Sequence, residues 1–136
     1  MYHIGLFRPF RALHFLIGGD WGPENNLHSH DYKVEWDLQG PDLDDDGFLL
    51  DLVAVEGLLD EALDEIRGRT LNDLTAFRGL NPSVERLSRF LSDRLLEQRP
   101  RWDPRHRLRF SVVKVFENDS AWAAWSADLT GPAEAP

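Results

Sequence analysis

Residues 28–38, HSHDYKVEWDL, alternate between two kinds of side chain without a break, and that two-residue period constrains the chain more than any other feature. His28, His30, Tyr32, Val34, Trp36 and Leu38 fall on one face; Ser29, Asp31, Lys33, Glu35 and Asp37 fall on the other. This is the pattern of a strand with one side on a core and the other in water. The two histidines continue the buried face at its open end and aim two imidazoles at one place. A bare His-x-His also describes two half-exposed histidines on an ordinary strand, so the rest of the chain has to choose between the readings.

The period then changes in an informative order. Residues 2–16 are apolar, aromatic and β-prone, with Pro9 pointing to an edge strand or a bulge. Residues 17–26 carry Gly18, Gly19, Gly22 and Pro23 and read as turns. The acidic loop PDLDDDG matches the opening of a calcium loop at Asp42, Asp44, Asp46 and Gly47, but the position that needs a bidentate glutamate is Val53, so a solvated turn is the better reading. From Asp51, a candidate N-cap, the period is helical, with Leu52, Val55, Leu59, Ala62 or Leu63, and Ile66 on one stripe. A loop over 67–81 leads to a second helix over about 82–98, with Pro82 in its first turn and Val84, Leu87, Phe90, Leu91 and Leu95 buried. Runs 107–117 and 121–129, joined by Asn118-Asp119-Ser120, read as two further strands.

The order ββααββ predicts an α+β fold: a four-stranded antiparallel sheet with two helices on one face. At 136 residues and 42% hydrophobic content the chain has enough for one core but not two, so 1–129 is expected to be one domain and TGPAEAP, 130–136, a frayed tail. The net charge of −9, from 24 acidic and 15 basic side chains, disfavours nucleic acid or anionic membrane as a partner. Without cysteine, disulfides, thiolate metal sites and thiol nucleophiles are excluded. No signal-peptide pattern and no run of membrane-spanning length is present, which makes a cytoplasmic location the expectation.

His14 in FRALHFL, the pair in LHSHDYKVEW, LNDL followed by NPSVERLSRFL, and VKVFENDSAWAAW together resemble the 6-pyruvoyl tetrahydropterin synthase and 6-carboxytetrahydropterin synthase family over nearly the whole chain. The resemblance implies the tunnelling fold (T-fold), with sheet edges paired between subunits into trimers stacked as hexamers. It also implies that His14, His28 and His30 bind one Zn²⁺. Three neutral imidazoles leave a tetrahedral site one ligand short, as in catalytic zinc centres. Glu117 matches the glutamate that anchors the pterin, though it also fits a strand end turning to solvent. Glu85 matches a position near the pterin, or is a first-turn acid favoured by the helix dipole.

Glu24, four residues before His28, stands where better-known members carry a catalytic cysteine; a subgroup carries glutamate there, and a surface acid in a Gly/Pro-rich loop is the plain alternative. That subgroup is associated with cleavage of the side chain of 7,8-dihydroneopterin triphosphate to 6-hydroxymethyl-7,8-dihydropterin. One departure stands out: the Asp-His pair that commonly precedes LND is Arg67-Gly68 here. Proton transfer then falls on Glu24, with Asp51, Asp73 or a neighbouring subunit as substitutes. The other readings are a 6-carboxy- or 6-pyruvoyl tetrahydropterin synthase, or a zinc- and pterin-binding homologue with little catalysis. His3 and His106 have no family counterpart, and His106 is expected to be exposed.

Overall fold

The computed structural model describes residues 1–131; the tail expected to fray therefore lies, from 132 onward, outside the described residues. Four strands, β1 (Tyr2–His14), β2 (His28–Gly40), β3 (Phe110–Asn118) and β4 (Ala121–Asp128), form one antiparallel sheet in the order β1-β2-β3-β4. Helices α1 (Leu52–Asp64) and α2 (Val84–Glu97) interrupt the chain between β2 and β3, followed by one further helical turn, α3 (Arg99–Trp102). The four-stranded antiparallel sheet with its two main helices is the arrangement expected from the element order.

The alternation of β2 is realised as read. Tyr32, Val34, Trp36 and Leu38 are buried, and β3 sets Val115, Val113 and Ser111 opposite Val34, Trp36 and Leu38 on the same face. α2 covers β3 and β4 with Leu87, Leu91 and Leu95, while α1 packs on α2 and β1. Trp36 donates its indole N–H to Ser111 Oγ at 2.9 Å and meets Trp102 edge-on at 5.3 Å, and Trp102 donates to the Leu95 carbonyl at 2.7 Å. Each buried indole thus brings its polar atom to a partner, which removes the cost of burying it.

Pro9 does sit on an edge strand. The Arg11 carbonyl and the Leu13 amide point away from β2, to Gly68 N (2.7 Å) and Arg69 O (2.8 Å), so the odd residues of β1 face outward. Pro9 belongs to that set, and its missing N–H costs no bond to β2.

Three boundaries differ from expectation for identifiable reasons. The first strand stops at His14, because the Phe15 and Ile17 backbones are taken by asparagine side chains. The third begins at Phe110, because the Arg107 and Leu108 amides bind the Asp103 carboxylate (2.7 and 3.2 Å). The second helix begins at Val84 with Ser83 as its cap, accepting from Arg86 N at 3.2 Å, so Pro82 lies one residue before the cap. On α1, Asp51 caps as expected through the Val53 and Ala54 amides, but Leu52 is 43% exposed and Leu58 fills the stripe in its place. Leu52 lies in the first turn, where with Ile4, Phe48, Leu50 and Val53 it borders an open apolar cleft of about 510 Å³ beside β1. No helix among the described residues is long and apolar enough to cross a membrane.

Candidate active site

His14 ends β1 and His28 opens β2, and the register pairs them directly; Ala12 stands opposite His30. All three imidazoles share the helix-covered face, with ring centroids 4.5 Å (His14–His28), 4.8 Å (His14–His30) and 4.8 Å (His28–His30) apart. One nitrogen from each ring lies within 4.8 Å of the others. His14 is buried at 6% exposure, and His28 and His30 are half-buried.

The hydrogen bonds decide which nitrogens are available. His28 Nδ1 lies 2.7 Å from the Asn26 carbonyl, which can only accept, so Nδ1 carries the proton and Nε2 keeps its lone pair. His14 Nδ1 is engaged by the Tyr32 hydroxyl at 3.1 Å. The Nε2 atoms of His28 and His30 are buried without any partner. Two buried ring nitrogens without a partner, one of them the lone pair of His28, are costly beside a third imidazole, and a cation in the space between them would satisfy them once His30 also turns a lone pair inward. Burial, then the charges of His30 and His28, push the His14 pKa down to about 4, which keeps this ring neutral and able to ligate. The residues therefore fit a tetrahedral, nitrogen-preferring ion such as zinc.

Around this group lie residues that sequence reasoning did not single out. Asn72 bonds both backbone groups of Phe15 (3.0 and 2.8 Å), and Asn81 bonds both of Ile17 (2.8 and 3.2 Å). Asn25 donates to the carbonyls of Leu16 (3.1 Å) and Gly19 (3.0 Å). Three side-chain amides thus hold the segment leaving His14. For Asn72 and Asn81 the only signal is the asparagine in LND and in NPS, where the resemblance had marked the motif without its role.

Glu24 sits in a short 3-10 turn, Gly22–Asn25, whose first turn also holds Pro23. Its side chain is exposed and its carbonyl accepts from Leu16 N at 2.9 Å, which ties its turn to the chain two residues beyond His14. Glu117 lies where the β3–β4 register slips between Phe116 and Asn118, the kind of irregularity that re-aims a side chain. It is partly buried, and its charge, after burial itself, holds the Tyr32 phenol above its ordinary pKa. Glu85 is exposed in the first turn of α2. Of the substitutes for Glu24, Asp51 is engaged as the α1 cap and Asp73 is exposed. His106 is exposed, as expected, and His3 pairs with Asp37 at 3.4 Å on the far face of the sheet.

A model of the family described as 6-pyruvoyl tetrahydropterin synthase matches residues 4–128. The chain belongs to that family. The structure is similar to that of Caenorhabditis elegans 6-pyruvoyl tetrahydropterin synthase, with a TM-score of 0.77, 19% identity, and 93% of this chain and 96% of that one covered. It is similar also to Plasmodium vivax 6-pyruvoyl tetrahydropterin synthase, with a TM-score of 0.73, 16% identity, and 94% and 99% coverage. For that protein there are solved variants with alanine or cysteine in place of a glutamate described as a catalytic residue. No curated relative matches the sequence.

Within this tetrahydropterin synthase fold, the Arg67-Gly68 departure has a structural use. Gly68 takes φ +72°, a left-handed conformation that disfavours a side chain, while its N–H binds the edge of β1. The Arg67 side chain turns to Asp64 at 3.3 Å, on the surface. Residues 68–70 thus act as a strap on β1, bridged at Leu13 and Thr70, and supply no acid or imidazole.

Proposed function

We propose that this chain is a zinc-dependent lyase of pterin synthesis, acting on 7,8-dihydroneopterin triphosphate and cleaving its side chain to 6-hydroxymethyl-7,8-dihydropterin. The observation that carries the reading is the pair of buried, partnerless Nε2 atoms on His28 and His30, gathered with His14. In this reading these three residues hold one Zn²⁺. When bound, zinc would lower the pKa of the substrate's side-chain hydroxyls and stabilise developing negative charge on oxygen.

The chain's own residues divide the remaining work. Glu117 accepts hydrogen bonds from the pterin 2-amino group and ring N–H, with Glu85 close to the same ligand. Glu24 takes the proton of the C2′ hydroxyl. The C1′–C2′ bond breaks, its electron pair passes into the conjugated dihydropterin ring, and the proton returns at C1′ while the triphosphate leaves on an aldehyde fragment. The catalytic glutamate of the Plasmodium vivax relative supports assigning this chain to the glutamate-for-cysteine subgroup. A single carboxylate suffices for cleavage, whereas forming a 6-pyruvoyl product moves more protons and suits the relay that Arg67 and Gly68 replace.

The cleft of about 570 Å³ lined by Asp44, Asp51, Trp102 and Arg107 lies at the other end of the sheet from the three histidines, roughly 40 Å away by strand length. Among the described residues, the outer edges of β4 and of the first nine residues of β1 are unpaired. These edges suit a homo-oligomer, trimer or hexamer, in which a neighbouring copy completes the pterin site.

The Arg67-Gly68 strap favours a second reading, a zinc- and pterin-binding homologue with little turnover. Incubating the purified protein with dihydroneopterin triphosphate and resolving the products by chromatography separates the readings. 6-Hydroxymethyl-7,8-dihydropterin is the expected product. A 6-carboxy- or 6-pyruvoyl tetrahydropterin would move the assignment to those synthases, and bound but unchanged substrate would favour the second reading.

A further inference from the structure

Tyr32 is buried at 3% exposure, two residues past His30 on the same face of β2. Its ring stacks on Phe10, its partner across the ladder, at 5.1 Å and 20°. From there the hydroxyl reaches not its strand neighbour His30 but His14, 3.1 Å away at Nδ1. The residue of β1 between Phe10 and His14 on that face is Ala12, fully buried, whose small side chain leaves the phenol room to lean across.

A histidine whose Nδ1 is free can turn over or exchange tautomers, and either change removes a metal-facing lone pair. His28 is secured against this by a backbone carbonyl, Asn26 O, which no substitution of a side chain removes. For His14 the group at Nδ1 is a side chain, the Tyr32 hydroxyl, while the Pro82 carbonyl also lies within hydrogen-bonding reach of the ring. We propose that Tyr32 is a positioning residue of the metal centre: its phenolic oxygen accepts the Nδ1–H of His14 and so presents the Nε2 lone pair to the space shared with His28 and His30. This rests on the metal reading above. It adds that the centre is held by a phenol where a carboxylate or a backbone carbonyl is the common holder of a ligating histidine.

Tyr32→Phe keeps the ring that stacks on Phe10 and deletes only the oxygen. The full-length variant is titrated with Zn²⁺ against a competing chelator and its Co²⁺ form is read by visible absorption, alongside the parent and Tyr2→Phe, which removes an exposed hydroxyl. Zinc affinity should fall about 10–100-fold in Tyr32→Phe alone, the usual effect of losing a group that holds a ligand, and the cobalt bands should shift. Parent-like affinity and an unchanged cobalt spectrum would overturn the proposal. If the parent itself binds no zinc, the metal reading fails separately. Nitrogen-15 NMR of His14 in the metal-free parent then still decides, as it does if Tyr32→Phe fails to fold. A proton on Nδ1 supports Tyr32 as the holder, and a proton on Nε2 overturns it.

Discussion

The two ends of the sheet both bury polar groups beside loops, and they use them in opposite ways. At the end where β2 meets the acidic loop, Asp103, only 4% exposed, accepts from the Arg99 guanidinium (3.2 and 3.0 Å) and from the amides of Arg107 and Leu108. On the surface beside it, Asp44 accepts from the amides of Asp46 and Phe48, and Arg107 donates to the carbonyls of Leu49 and Asp42. Every one of these groups is engaged in holding the chain. At the histidine end the asparagines do that holding, and two imidazole nitrogens are left with no partner at all. The satisfied groups hold the chain; three converging imidazoles with two nitrogens left open, inside a frame rigid enough to keep them open, suit a ligand.

The comparison breaks first at the histidines. Replacing both His28 and His30 by alanine should abolish zinc binding and turnover while leaving the fold, measured by metal content and circular dichroism; full zinc in that variant would take these residues out of the site. Next, Glu24→Gln should retain zinc and shape yet lower kcat by about 10²–10⁴-fold, the usual contribution of a general acid–base. Glu117→Gln should weaken pterin binding instead, a difference visible in steady-state kinetics with a pterin titration beside them.

The other end should respond in stability rather than activity. Asp103→Ala leaves Arg99, itself only 15% exposed at its side chain, without its carboxylate, and should cost about 3–5 kcal/mol in denaturant unfolding with zinc affinity unchanged. A loss of zinc at parent-like stability would show that the two ends are not separate.

The smallest effect is in pH. His14 has a folded pKa of about 4 against an ordinary 6.5, so between these values the unfolded chain binds a proton that the folded chain refuses. Stability of the metal-free protein should therefore fall as pH drops from 6.5 toward 4, and His14→Gln should flatten that slope. Asp44, whose carboxyl is held below 3.8 chiefly by the Phe48 amide, contributes in the other window: its stabilisation is present above 3.8 and is lost as pH falls below that value. Melting temperatures from pH 7.5 to 3 for both proteins separate the two ends.

Features governed by local period were legible in the sequence. The strand that carries His28 and His30, the stripe on α1 from Val55 onward and the Asp51 cap all depend on neighbours a few residues away. Asn72 and Asn81 meet backbone 57 and 64 residues distant, and no periodicity announces a side chain that imitates a strand partner. Tyr32 was legible as a buried residue but not as the holder of His14, since that contact depends on Ala12 being small on the adjacent strand. Leu52 was misplaced because a helical stripe does not reveal where the sheet beneath it ends. The slip in register beside Glu117 belongs to the β3–β4 pairing, which its own stretch of sequence does not announce.

Pro9 has a consequence for how this protein behaves in a crowded solution. An exposed strand edge is a template on which unrelated strands can grow, and fibrils require an uninterrupted row of amides. On β1 the outward amides run only through His3, Gly5 and Phe7 before Pro9 interrupts them, and beyond it the strap takes the Leu13 amide. A row that short can zip one matching edge in a closed ring yet offers little to an indiscriminate partner. Exchanging Pro9 for valine would lengthen the row across the gap, turning a resistant surface into one prone to clumping.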